Sequence, residues 1–287
     1  MTGRILPDLP MPYYANDEVG APTPTLNSGL ANRLLTRSPL HAWTGHPKLN
    51  PDWQATESEA FDLGAAVHDV VIEGRTDRLV SVPFPDWRTK EAKGMRDDIR
   101  AEGKLPLLEA QVKAVLDMAG PAIAAIATSP DLQDLGELDP EHTVVWQDEA
   151  TGAWLRCRPD WLTKDRQIIL SFKTTSANAE PDRFIRTILD MGYGMQAAFE
   201  LDGIEQATGV RPSAYVWVVQ EVQPPYAVSL IGLSNLTRAL AGAQRDRAVS
   251  IWAECLATDR WPGYPTRICY PDPPPWAMAG MEELINA

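Results

Sequence analysis

The stretch that decides the fold is WLRCRPDWLTKDRQIILSFKTT, residues 154–175. Two apolar runs flank the polar turn around Lys164-Asp165-Arg166, which is the pattern of adjacent strands joined by a tight turn. The first run ends in Arg158-Pro159-Asp160, and the second presents Ser171-Phe172-Lys173 eleven residues after Asp160. Side chains alternate along a strand, so residues 171 and 173 share one face while Phe172 points to the other and offers its carbonyl nearby. Asp160, Ser171 and Lys173 can therefore converge. Oxygen ligands that hold a hard cation, beside a lysine that positions water or stabilises developing charge, suit phosphodiester hydrolysis.

Outward from this pair, HTVVWQD supplies a preceding strand, and SAYVWVVQ and YAVSLIGL supply two later ones. Helical spacing predicts a short helix at GLANRLL behind the capping pair Asn27-Ser28. A second helix is predicted from about residue 58 to 73, with Phe61, Ala65, His68 and Ile72 on one face, and a third over 107–128. Two more are predicted around 181–190 and 192–207, and a long one over 234–257. The order predicts an α/β fold with a mixed central sheet flanked by helices and with N-terminal helical additions.

Residues 1–25 hold five of the 25 prolines and read as an extended N-terminal arm. Residues 26–260 read as the folded domain, and 261–287 as a Pro-rich C-terminal tail ending in a short helix. The 287 residues, 44% of them hydrophobic, suffice for one elaborated core. No uninterrupted run of 18 apolar residues occurs and no signal-peptide pattern opens the chain, so a soluble protein without a membrane partner is expected. Three widely spaced cysteines, Cys157, Cys255 and Cys269, support neither a disulfide framework nor a CxxC metal site. A formal net charge of −13 excludes a protein that coats nucleic acid nonspecifically, so any DNA contact must use locally concentrated bases.

With these residues in place, the sequence resembles the PD-(D/E)xK (restriction-endonuclease-like) nucleases, and among them the phage-type exonuclease VIII (RecE-like) group. The resemblance spans about residues 25–260 and rests on six stretches in order. They are LNSGLANRLLTRSPLHAW, FDLGAAVHDVVIEG, DWRTKEAKGMRDDIRAEGKLPLLEAQ, WLRCRPDWL, IILSFKTT and GYGMQAAFELDG.

The resemblance implies that His68 is a metal ligand, Asp160 the first strand carboxylate, Lys173 the catalytic lysine and Gln196 the glutamine of a QxxxY motif. Ser171 and the Phe172 carbonyl complete the implied metal set, for Mg²⁺ or Mn²⁺. Tyr193 and Thr174-Thr175 would line the same cleft. Two positions depart from the pattern: Ser171 stands where the family has Asp or Glu, and Glu200 where it usually has the tyrosine. A neutral hydroxyl is a poor ligand for a hard dication. Three explanations follow: a serine introduced to arrest the chemistry, a naturally weakened nuclease, or a carboxylate relocated to Glu200, one turn beyond Gln196.

Each residue also has a plainer reading. His68 alone is more often a packed helix histidine, Asp160 a turn cap, and Lys173 a solvated strand end. Lys93, Arg96, Arg100 and Lys104 form a basic helical stripe whose default reading is a solvated face, since Glu91, Asp97, Asp98 and Glu102 nearly balance it. The resemblance favours DNA-phosphate contact by that stripe, with Arg88 beside it and Trp87 placed to stack on an unpaired end.

By family, the expected activity is a Mg²⁺-dependent exonuclease on linear double-stranded DNA, acting 5′ to 3′. It would feed a single-strand annealing recombination protein in a bacterial or phage-infected cytoplasm, from a ring-shaped homo-oligomer. The alternative is a DNA-end-binding module with weakened chemistry.

Overall fold

The computed structural model describes residues 3–7, 9–54, 59–133, 135–275 and 278. The chain opens with β1 (Gly3–Leu6), α1 (Met11–Ala15), α2 (Ser28–Thr36), α3 (Pro39–Thr44) and α4 (Glu59–Ile72). It continues through β2 (Leu79–Val82), α5 (Lys90–Ala101), β3 (Leu105–Leu108), α6 (Glu109–Thr128), β4 (Leu138–Pro140), β5 (Thr143–Gln147) and β6 (Trp154–Cys157). β7 (Trp161–Thr163), β8 (Ile168–Thr175), α7 (Pro181–Asp190), α8 (Tyr193–Thr208), β9 (Ala214–Glu221), β10 (Val228–Gly232) and α9 (Asn235–Thr258) complete it.

A five-stranded mixed sheet, ordered β10-β9-β8-β7-β4, forms the centre, with β8 and β9 parallel and the other pairs antiparallel. Beside it lie a three-stranded sheet, β1-β5-β6, and the parallel pair β2-β3. Strand alternation sends Leu170, Phe172 and Val218 into a core with α4 and α6, where Val67, Val71, Val115 and Met118 pack. Ile169, Tyr215, Trp217 and Val219 face the opposite core, with α2, α8 and α9. Ser171 and Lys173, in step with Ile169, therefore face the α8 side.

Close approach of α8 to β5 and β6 depends on Gly203, where a Cβ would lie 2.8 Å from the Trp146 ring and 2.9 Å from Cys157 Sγ. The predicted cap at Asn27 is present, accepting from the Leu30 amide, and Ser234 caps α9 by accepting from that of Thr237. Cys157 and Cys255 are buried free thiols, and Cys269 is an exposed one.

Two sequence expectations change. The expected second strand is two: β6 ends at Cys157 in one sheet and β7 starts at Trp161 in another. Pro159, lacking an N–H for a ladder, sits in the break, so Asp160 lies at a crossover between sheets. The expected extended arm is part of the fold, because β1 pairs antiparallel with β5 and covers its edge. Asp17, Val19 and Thr25 are buried, and Asp17 accepts from Arg156 at 2.8 Å. Its prolines at 7, 10 and 12 fall between β1 and the first turn of α1, where no sheet donor is required. The short helix expected in the C-terminal tail falls mostly on residues outside those described.

Among the described residues one helix, α6, is long and apolar enough by length and composition alone to cross a membrane. It nevertheless carries Glu109, Lys113 and Asp117, and it buries Val115, Met118 and Ala122 against the second core.

Candidate active site

At the crossover between β6 and β7, Asp160 Oδ2 accepts from the Phe172 amide at 2.7 Å and from Ser171 Oγ at 3.0 Å. These bonds tie the crossover to β8. Lys173 Nζ donates to Ser171 Oγ at 2.8 Å and to the Phe172 carbonyl at 3.2 Å, and lies 3.8 Å from Asp160 Oδ2. The ammonium also sits 5.2 Å from the centre of the Tyr193 ring, at the start of α8. Strand alternation thus delivers the convergence that the sequence implied for Asp160, Ser171 and Lys173.

His68 reaches the cluster from α4. Its Nε2 lies 3.1 Å from Asp160 Oδ1, and its Nδ1 lies 2.7 Å from Glu141 Oε1. Burial would lower the imidazole pKa, but the bonds and charges of Asp160 and Glu141 outweigh it and raise it to about 10. Burial opposes ionisation of Asp160 too, yet the charge of Lys173 and the bonds from His68 and Phe172 hold its carboxyl well below the usual range. Glu141, pulled the same way by His68 and Arg158 against its burial, falls to about 2.

Glu141 was not among the sequence candidates. It sits in the turn between β4 and β5 at φ 47°, a left-handed conformation unusual for a non-glycine residue. Its amide donates to the Asp160 carbonyl at 3.0 Å, and its carboxylate takes both His68 Nδ1 and, at 2.9 Å, Arg158. A carboxylate that fixes one imidazole nitrogen directs the other at its target. No motif marks this residue, and nothing local in the sequence signals its role.

On the α8 side, Gln196 donates to Glu200 Oε1 at 2.7 Å and the Tyr215 hydroxyl donates to Glu200 Oε2 at 2.9 Å. Ser171, whose hydroxyl donates to Asp160, lies near the Tyr215 hydroxyl. Glu200 is only 1% exposed. Burial, and next the charge of Asp160, raise its carboxyl to about 7. His68, Glu141, Arg158, Asp160, Gln196 and Glu200 line one cavity of about 210 Å³, which Met11 and Tyr14 of α1 help to enclose.

The donor set suits a hydrated hard cation. The 3.1 Å between His68 Nε2 and Asp160 Oδ1 is close to the ~3 Å ligand–ligand edge of an octahedron with 2.1 Å bonds, but the imidazole is protonated between its two carboxylates, so a cation would have to displace the Nε2 proton before His68 could ligate it. The Phe172 carbonyl lies on the adjoining strand. Among the described residues, no group of three or more His, Cys, Asp or Glu side chains is placed to hold an ion unaided, so water must complete such a shell. Ser171, counted among the metal ligands from sequence, is instead fully buried and bridges Lys173 and Asp160.

The basic stripe is corrected. α5 ends at Ala101, so Lys104 lies beyond it, beside Glu102. Arg100 pairs with Asp62 at 2.5 Å and Arg96 with Asp97 at 3.0 Å. Trp87 is buried beneath the Arg96 guanidinium, 5.9 Å from its ring centre, and offers no open face for stacking. Lys93 and Arg88 remain exposed, the latter 3.5 Å from Asp86. Thr174 and Thr175, half-buried, continue β8 beyond Lys173.

Comparison with known proteins agrees with this architecture. A crystal structure from Eubacterium rectale, described as a "Putative exonuclease", superposes with a TM-score of 0.58 at 13% identity. The alignment covers 94% of this chain and 97% of that one. The structure of SSO0001 aligns at 10% identity over 67% of this chain and 85% of that one, with a TM-score of only 0.31. Among curated proteins none matches significantly. The model of a PDDEXK-like domain of unknown function matches residues 35–271, most of the chain including the whole Asp160–Lys173 cluster. The chain therefore belongs to that PDDEXK-like family, DUF3799.

Proposed function

We propose that this protein is a divalent-metal-dependent deoxyribonuclease that digests linear duplex DNA from its ends. The observation that carries the reading is the single cluster in which His68, Asp160 and Lys173 meet at the β6–β7 crossover. A Mg²⁺ or Mn²⁺ ion beside Asp160 would supply water activation and charge neutralisation at the phosphate. Asp160, His68 Nε2 and the Phe172 carbonyl would hold it. Glu141, clamped by Arg158, fixes the ring of His68 so that Nε2 faces Asp160. The Lys173 ammonium, steered by Tyr193 and Ser171, is placed to receive developing charge on a phosphate oxygen.

The size of the cavity fits the scissile group, and the preference for ends is carried by the RecE-like resemblance. About 210 Å³, enclosed on one side by Met11 and Tyr14, accommodates one phosphodiester of a strand laid across it. The RecE-like resemblance extends the proposal to 5′-to-3′ polarity, a ring-shaped homo-oligomer and a single-strand annealing partner in a bacterial or phage-infected cell.

Ser171 favours a second reading, a module that binds DNA ends without cutting, because it removes one anionic ligand. Degradation of linear and circular duplex with Mg²⁺ or Mn²⁺, by this chain and by Ser171→Asp, separates the two. Loss of linear but not circular DNA with the chain itself supports the nuclease. Cleavage only after Ser171→Asp, or end binding with no cleavage by either, supports the module.

A further inference from the structure

We infer that a second cavity, beside the catalytic one, holds the unpaired base of a nucleotide next to the scissile phosphodiester, stacked on Trp53. The inference rests on reading Asp160 as the cleavage centre and says where the substrate strand runs from it. The cavity, about 530 Å³, opens between the N-terminal end of α2, the end of α3 and the loop that follows α3. That volume is within the range of small-ligand sites. Three pairs of chain neighbours fix its position. Ala15, Asn27 and Arg156 line this cavity, while Tyr14, Ser28 and Cys157 line the one that holds Asp160. Consecutive Cα atoms are about 3.8 Å apart, so the two cavities share a wall, and a strand that crosses Asp160 passes beside the second.

The lining divides by chemistry. On one side lie Arg33 and the first turn of α2, a nine-residue helix whose free amides and dipole favour an anion. Arg33 is exposed and forms no ion pair among the described residues. It lies against the backbone of Gly45, where a Cβ would collide with its guanidinium. Arg156 adds a second guanidinium. Only 1% exposed, it donates through Nη1 to Asp17 and Thr25, while its buried Nε has no hydrogen-bond partner among the described residues. A buried donor left unmet costs stability that an accepting ligand would recover.

On the other side lie Asp52, Trp53 and Gln54. Asp52 repels a phosphate but accepts from the exocyclic amine of a base, and Gln54 both donates and accepts. The half-buried Trp53 supplies a ring for stacking. Asn50 braces this loop, accepting from the Asp52 amide at 3.0 Å and donating to the Thr44 carbonyl at 2.9 Å, so the lining is set before a ligand arrives. A nucleotide has the same two ends, an anionic phosphate and a flat base with a polar edge. Its base must be unpaired to present that edge.

The test is binding in EDTA, without cleavage, of a short fluorescein-labelled single-stranded oligonucleotide and of its abasic counterpart. Anisotropy is followed for the full chain, Trp53→Ala and Arg33→Gln, each checked for folding by circular dichroism. The unaltered chain should bind the normal oligonucleotide at least about fivefold tighter than the abasic one. Trp53→Ala should weaken the normal oligonucleotide about 5–150-fold, the range for losing one stacked base, and leave the abasic one unchanged, which a merely structural role for Trp53 would not do. Arg33→Gln should weaken both and shallow the slope of log affinity against log salt by about 0.7, one phosphate contact on a single strand. Equal binding of the two oligonucleotides by the unaltered chain, equal loss of both in Trp53→Ala, or an unchanged slope in Arg33→Gln overturns the inference. So does absence of binding, and digestion of linear duplex by the same chain then shows that the nuclease reading stands. Failure of that reading shows separately, as no digestion by a chain that still prefers the normal oligonucleotide.

Discussion

Replacing Glu200 with glutamine should remove a pH-dependent loss of stability. In the folded chain burial and the charge of Asp160 raise the Glu200 carboxyl to about 7, against an ordinary value of 4.5. A raised folded pKa means that the neutral acid is favoured by folding. Its contribution is fully present below pH 4.5 and is lost as pH rises through 7. At 1.36 kcal/mol per pH unit, the difference corresponds to about 3 kcal/mol. Glutamine does not titrate, but its amide nitrogen must face one of the two donors, Gln196 or Tyr215, at a cost of about 1 kcal/mol at every pH. The variant should therefore be the less stable protein near pH 4.5 and the more stable one, by about 2 kcal/mol, above pH 7. Urea unfolding followed by tryptophan fluorescence, in EDTA at half-unit steps from pH 4.5 to 8, measures both curves. Curves that run parallel across this window would refute the buried-acid account of Glu200.

His68→Ala leaves Asp160 and Glu141 facing each other without the imidazolium between them. Near pH 7 it should cost about 3 kcal/mol in thermal or urea unfolding, and a loss below 1 kcal/mol would count against the charge network. Arg100→Gln strands the carboxylate of Asp62 and should lower stability by about 3 kcal/mol while changing DNA affinity little; Lys93→Gln should do the reverse, weakening DNA binding and its salt dependence. Gly203→Ala pushes a methyl group to 2.8 Å from the Trp146 ring and should destabilise by roughly 1–3 kcal/mol, read as a fall in the unfolding midpoint.

The centre of the site was legible because it obeys a two-residue period. Ser171 and Lys173 share a face of β8 and Asp160 is bonded to that strand, as the hairpin pattern implied. His68 needed the motif around it, because helical spacing alone places a histidine on a face without saying what lies opposite. Glu141 was invisible: it lies in a turn at φ 47°, and its meaning comes from His68, 73 positions earlier in the chain. The N-terminal arm was misread for the same reason. Its prolines signal irregular chain, whereas the four residues of β1 are ordered by an edge of β5 that lies some 140 positions away, beyond any local propensity. Charge spacing on α5 suggested a DNA-facing stripe, but spacing cannot reveal that Asp62 on α4 claims Arg100.

The central claim is that Asp160 anchors metal-dependent hydrolysis of DNA ends. Its most direct measurement is the rate of acid-soluble nucleotide release from linear duplex DNA with Mn²⁺, for the chain and for Asp160→Asn, with EDTA as the blank. The account predicts release by the chain that EDTA abolishes and that Asp160→Asn lowers at least a hundredfold, about 3 kcal/mol of transition-state stabilisation. Release that persists in Asp160→Asn, or none from the chain at any divalent cation concentration, would contradict it.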